Sequence, residues 1–432
     1  MEEQPNASQS ECQQWGKELT DMLQGVVLPE KSGVHGQCIF RVPDSIRETN
    51  PKAYTPRVVS IGPFHKARSN ADDNVLKAME EFKLKYLKGF LDRTKLRVDD
   101  FACYLKDQEN RIRSCYAWPV EPHSNHFLKM ILIDACFIIE HFLRDFEDND
   151  WIYKDPLLLK PWLVDDVYDD LTLLENQLPF FVLEGIYEIA QLNLQFPSFL
   201  DITFEYFQEY NEQNITSERV RPKHFTDLLR TFFLPSTFDL GDTPAKRDEL
   251  KYLYSASQLS EAGLAFKVNP SKCLLDLDYH DGELTIPCLT VHDETEKLFR
   301  NIVAFEQCLF PNTPLVTQYL KVLDYLIDTE KDVNLLVDKK IIVNYMGDTK
   351  AVATMVNSLS TNVAMPHFNS KYFSICISLN KFYENPRNKY KAIFIHEYFN
   401  TPWKIASTVA ASMLLLLTLI QTVCSAIPLF KG

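Results

Sequence analysis

The sequence predicts a mainly α fold: an irregular multi-helix bundle with a small β-hairpin element and a C-terminal transmembrane helix. Three observations carry this. Apolar residues recur at helical spacing through most of the chain, one short stretch around Asp281-Gly282 alternates instead, and an uncharged apolar run follows near the end. Hydrophobic residues at 46% and aromatics at 12% supply ample core for 432 residues, enough for two or three domains or one large body with accessory parts. Only 12 glycines disfavour Gly-rich sandwiches and phosphate loops.

The first stretch, "MEEQPNASQSECQQWGKELTDMLQ", is polar and has no apolar signal-peptide core. Glu follows Met1, so there is no myristoylation motif. Trp15, Leu19, Met22, Leu23 and Val26 fall at helical spacing, predicting a short amphipathic helix in a tail spanning 1–34. Only Lys17 is positive there, so the helix is expected to dock on the body rather than on a membrane. A main domain over 35–398 then opens with "CIFRVPDSIRETNPKAYTPRVVSIGPF", whose prolines and β-branched residues predict extended chain or short strands.

"NVLKAMEEFKLKYLKGFLDR" carries a broad apolar stripe from Leu76 to Leu91 with lysines opposite. "HFLKMILIDACFIIEHFLRDF" is apolar almost all round, which predicts a central core helix. "TEKLFRNIVAFEQCLF", "TPLVTQYLKVLDYLIDTEKDVNLLVDKKIIV" and "DTKAVATMVNSLS" continue the helical pattern. Residues 145–165 and 209–223 read as loops, and 236–250 as a disordered loop. "CLLDLDYHDGELTIPCL" alternates on both sides of Asp281-Gly282, the strongest short hairpin signal. Its Asp276, Asp278 and Asp281 resemble a calcium loop, but the glycine falls one place late and Pro287 occupies the closing Glu position.

"DLTLLENQLPFFVLEGIY" places Glu175, Asn176 and Gln177 inside an apolar run, just before Pro179. Pro179 lacks an N–H and disfavours helix before it, so a helix from about Asp169 should end or kink near Gln177. A second helix should begin around Pro179. The three polar side chains would then satisfy backbone groups freed at the break. A buried Glu175 would want a cation, for which Arg41 or Arg57 of the extended segment are the expected partners.

Lys+Arg 45 against Asp+Glu 59 leaves a net charge of −14, and no basic block provides a footprint for nucleic acid. The ten cysteines are scattered without CxxC spacing, which predicts reduced thiols and no zinc. An acid/base site would draw on Asp134, Glu140, His141 and Glu175. Glu140 and His141 are adjacent and point apart, and no pair of Glu-x-x-His elements exists for a bundle metal site. GxSxG, HExxH, P-loop and GxGxxG are all missing, while His65 and His292 stand isolated. No catalytic residue, cofactor or metal is therefore expected, and Asp134, Glu140, Glu175, Asn176, Gln177 and Pro179 are read as a structural motif.

"IASTVAASMLLLLTLIQTVCSAI", Ile405 to Ile427, is 23 residues without a charge. It spans roughly 34 Å as a helix, enough for a bilayer core of about 30 Å, and predicts a transmembrane segment over 403–428. Trp403 and Lys404 flank one side and Lys431 the other. Arg387, Lys389, Lys391 and Lys404 precede it, so the body is expected in the cytosol on a tail anchor, with Asn6 and Asn214 unglycosylated. Thr418, Gln421, Thr422 and Ser425 share one face, beside small-xxx-small pairs Ala406/Ala410 and Ser407/Ala411. Two readings stay open: a contact face for self-association or a membrane partner, and a lone anchor that tolerates hydroxyls.

"RVPDSIRETNPKAYTPRVVSIGPFH", "AMEEFKLKYLKGFL", "DACFIIEHFL", "DLTLLENQLPFFVLEGIY", "SASQLSEAGLAF", "LTIPCLTVHDETEKLFRNIVAFEQC" and "YFNTPWKI" together resemble the plant DUF247 family, also called UPF0481, in the family's order over roughly 35 to 427. Relatives usually carry tryptophans before "YFNTPW", where this chain reads "NPRNKYKAIF". The resemblance implies a plant-specific, predominantly helical protein with a C-terminal membrane segment and no established catalysis. Some relatives are implicated in self-incompatibility in grasses, which implies recognition or signalling. The expectation is a plasma-membrane-anchored cytosolic body that binds an unidentified protein. A tethered enzyme with an unrecognised carboxylate/His site and an oligomeric channel component are the alternatives.

Overall fold

The computed structural model describes residues 7–23, 36–66, 74–120, 124–147, 155, 157, 159–235, 252–364, 368–399 and 402–426. The loop expected at 236–250 lies outside them. The chain divides into two units, Met1–Gln37 and Cys38–Gly432. In the first, α1 (Ala7–Leu23) forms where the apolar spacing predicts a helix.

The second unit is mainly α. Of the extended chain or short strands expected in its opening segment, no strand forms beyond a single bridge from Ile39 to Tyr116; the rest is irregular chain holding the one-turn α2 (Asp44–Arg47) and a 3-10 turn at Pro51–Tyr54. Prolines 43, 51, 56 and 63 interrupt the row of N–H donors that a strand ladder needs. Next come α3 (Asn74–Thr94), α4 (Val98–Ser114) and α5 (Ser124–Glu147). α5 is the central core helix: Ile131, Ala135, Cys136, Phe137, Ile138 and Ile139 are fully buried. Its apolar surface runs all round because α3, α4 and two later helices pack against it.

Those later helices are α7 (Phe180–Ile189) and α8 (Phe199–Tyr206), which follow α6 (Pro161–Thr172) and precede α9 (Phe225–Phe233). α6 begins inside the stretch 145–165 read as loop, with Pro161 at its first position. It also ends at Thr172, well before the expected break near Gln177, and Pro179 caps α7 instead of opening it. Residues 209–223 carry only 3-10 turns.

α10 (Ala256–Glu261), capped by Ser255 and Gln258, leads to β1 (Ala265–Asn269), β2 (Asp278–His280) and β3 (Glu283–Pro287). β2 and β3 are the predicted hairpin, turned by Asp281 at φ 47° and Gly282 at φ 80°, a type I′ geometry. β1, which the sequence pattern does not reveal, adds parallel to β3. β4 (Leu289–Val291) then leads to α11 (Thr295–Leu309), α12 (Leu315–Leu326), α13 (Glu330–Asp338) and β5 (Ile342–Asn344), and β4 pairs parallel with β5. The long apolar pattern after Pro314 thus splits in two, because the Thr329/Asp332 capping box starts a fresh helix. α14 (Thr349–Leu359), α15 (Ser370–Glu384), α16 (Pro386–Phe399) and α17 (Pro402–Ala426) complete the described fold. Over Pro402–Thr422, α17 is long and apolar enough to cross a membrane, and none of that stretch is buried.

Candidate functional site

The segment between α6 and α7 is fully buried, and its polar side chains are saturated. The Asn176 amide donates to the carbonyls of Asp170 (2.8 Å) and Val59 (3.0 Å), and its oxygen accepts from the Ile61 N–H (2.7 Å). The Gln177 amide donates to the carbonyls of Leu171 and Leu173, while its oxygen accepts from the Phe225 N–H. Carbonyls at the end of α6 are thereby satisfied by side chains beyond the helix. Glu175 accepts from the Val42 N–H (2.6 Å) and meets Arg47 (2.5 Å) and His65 (3.2 Å). Burial opposes its charge, but His65 and Arg47 outweigh burial and hold its carboxyl below the usual range.

The expected partners of Glu175 are corrected by this geometry. Arg41 lies over the Phe64 ring, 4.9 Å from its centroid, and Arg57 meets Asp166 at 3.0 Å and Glu294 at 3.4 Å. Arg47 reaches Glu175 because the helical turn of α2, unforeseen in an extended reading, swings it inward. His65, isolated in sequence, also belongs to this cluster.

Asp170 and Asp134 extend the same arrangement. Asp170 accepts from the N–H groups of Arg57, Val58 and Val59, and Asp134 from that of Gly62 at 2.9 Å. Side-chain oxygens thus take the place of a neighbouring strand along residues 57–62. Asp134 also holds the fully buried Lys83 at 2.7 Å. Burial disfavours charge on Lys83, yet Asp134 and Glu80 keep it protonated above its ordinary range. Glu140 sits elsewhere on α5, gripping Arg93 (2.8 Å) and Arg144 (2.8 Å). His141 stacks on Phe137 and faces the Tyr206 hydroxyl at 3.1 Å, and burial lowers its pKa to about 4. The four acid/base candidates therefore do not converge: each is bound to its own structural partners.

A cavity of about 510 Å³ opens where α6, α9, α11 and the chain around residues 209, 272 and 290 meet. Asp165, Asp166, Asp169, Glu209, Glu212, Asp293 and Glu294 line it against two cations, Arg57 and Lys272. Phe232, Phe233, Leu289 and Phe299 supply apolar lining. Lys297 reaches Asp169 at 2.8 Å and Glu294 at 3.0 Å. Burial pushes the Asp169 carboxyl up to about 7, against the pull of Lys297. Motif reading misses this site because its lining comes from separate segments. The only sequence cue is the acidic density of "DDVYDD" and "HDETE", and His292, read as isolated, stands at the rim stacked on Tyr345.

On α17, the hydroxyls of Thr418 and Thr422 donate to the carbonyls of Leu414 and Thr418, both at 2.8 Å. The Gln421 side chain is exposed, and the side chain of Ser425 lies outside the described residues.

Residues 39–417 match DUF247, described as a plant protein of unknown function. The UPF0481 protein At3g47200 of Arabidopsis thaliana is 30% identical over 425 residues, covering 92% of this chain and 88% of that protein. The putative UPF0481 protein At3g02645 of Arabidopsis thaliana is 22% identical over 483 residues, covering 89% of each chain. No solved structure matches. With a match running from the clamped N-terminal segment into α17, the chain belongs to the DUF247 (UPF0481) family of plant proteins.

Proposed function

We propose that this protein is a single-pass, membrane-anchored recognition module whose body faces the cytosol and binds other proteins. The observation that carries the proposal is α17: a helix of bilayer-spanning length with Leu414, Leu415, Leu416 and Leu417 more than half exposed. Apolar surface on that scale needs cover, and a lipid bilayer provides it. The cations Arg387, Lys389, Lys391 and Lys404 before the span favour a cytosolic body. The plasma membrane is our reading of the membrane concerned, drawn from the family resemblance. A binding role is favoured over catalysis because the buried acid/base candidates are spent on holding the fold.

Within the span, Thr418 and Thr422 bond their own helix, which leaves Gln421, among the described side chains of that face, as the polar group that would seek a partner helix in lipid.

The test is protease protection on microsomes with the full chain tagged at both ends, alongside a truncation ending at Tyr398. The reading expects a digested body, a protected C-terminal tag and a truncation that leaves the membrane fraction. A protected body or a membrane-bound truncation would overturn it. Capture of partners by the cytosolic face of the anchored chain then checks recognition.

A further inference from the structure

We propose that the acidic cavity binds an organic cation: an ammonium or guanidinium group carried on an apolar or aromatic stem. Its volume of about 510 Å³ is that of a small-molecule or side-chain pocket, and it opens to solvent, so the carboxylates frame a cleft and not merely a charged face. The lining is divided. Phe232, Phe233 and Phe299 form an apolar wall, with Phe233 and Phe299 in contact at 5.5 Å between ring centroids. Tyr168 and Tyr210, stacked at 5.7 Å, line the cavity beside this wall. The Tyr168 hydroxyl is shielded from solvent and makes no hydrogen bond of good geometry.

The inner acids are already matched, Asp166 by Arg57 and Asp169 by Lys297. At the rim, Asp165, Glu209 and Asp293 are exposed and form no ion pair with a described residue. The unmatched negative charge therefore surrounds the mouth while the apolar wall lies within. A ligand satisfying both places its stem inside and its cation at the rim. A divalent metal fits less well, because among the described residues no three of His, Cys, Asp and Glu converge as ligands.

This rests on the reading of the body as a binding module, and the same cation chemistry has two sources: a free amine, or a lysine or arginine side chain of a partner. Calorimetry on the full chain in nanodiscs separates them, using 2-phenylethylamine, the neutral isostere 2-phenylethanol, and the peptide acetyl-Phe-Lys-amide. Either amine probe should bind where the alcohol does not, and the tighter of the two identifies the source. Substituting the exposed rim, Asp165→Asn with Glu209→Gln and Asp293→Asn, should weaken amine binding by about tenfold. On the unmodified protein, raising salt from about 0.05 to 0.5 M should weaken it several-fold. Equal binding of the alcohol, indifference to both the triple substitution and salt, or no amine binding at millimolar concentration would overturn the proposal. None of these outcomes touches the membrane topology, so failure here is distinguishable from failure of the anchor.

Discussion

Asn176 holds three backbone groups at once, from the end of α6 and from the opposing segment at Val59 and Ile61. Asn176→Leu keeps much of the volume and strands all three. At about 1–3 kcal/mol for each buried unsatisfied group, the loss should be about 3 kcal/mol or more, read as a fall in denaturant midpoint. A midpoint unchanged would mean that water replaces the amide. His224 invites a pH experiment. Its Nε2 lies 2.9 Å from the Cys38 carbonyl and its Nδ1 accepts the Asp227 N–H at 3.4 Å, so the neutral ring is used on both sides. Burial lowers its pKa to about 4 from the ordinary 6.5. Stability from this group is whole above about pH 6.5 and drains as pH falls toward 4, by up to about 3 kcal/mol. Asp169 and Asp170, raised to about 7 and about 6 by burial, act in the opposite sense over the same range. The comparison must therefore be differential: the His224→Gln variant should lose less stability than the parent between pH 6.5 and 4.

At the scale of elements, the N-terminal segment is held by side chains where a sheet would use a strand. Gly62 is where this arrangement turns. Its φ is +69°, and a Cβ there would stand 2.7 Å from the Gln177 carbonyl oxygen and 3.3 Å from the Tyr116 hydroxyl. Both the left-handed backbone and the contact penalise any side chain. Gly62→Ala should lower stability by about 2 kcal/mol or more, measured by thermal unfolding, with the largest loss of amide protection over residues 57–62. The hairpin teaches the opposite lesson. Asp281-Gly282 sets its own turn, so β2 and β3 are legible locally, whereas β1 depends on a parallel neighbour that only the assembled fold supplies.

At the scale of the whole molecule, α17 and the acidic body make separate demands. Removing the residues after Tyr398 should move the protein from the membrane pellet to the supernatant without altering the unfolding midpoint of the body, since none of the span is buried. A truncation that aggregates or unfolds would instead assign α17 to the core. The proposed preference for a cationic ligand accords with the charge of −14 and the carboxylate-lined cavity, and it is what the salt dependence tests.

Periodicity, turn chemistry and hydropathy are local properties, so the sequence alone determined the mainly helical class, the central helix α5, the Asp281-Gly282 hairpin and a helix of membrane-spanning length. It also marked Pro179 as a break, although not where α6 stops, because that depends on amides from Asn176 and Gln177 folding back onto carbonyls the helix gives up. Which cation meets Glu175 was beyond it: Arg47 and His65 are brought together by a turn and a bend, not by spacing. The cavity was beyond it for the same reason. Its acids come from α6, the 3-10 region near residue 209 and the start of α11, and only long-range packing decides that they share one space.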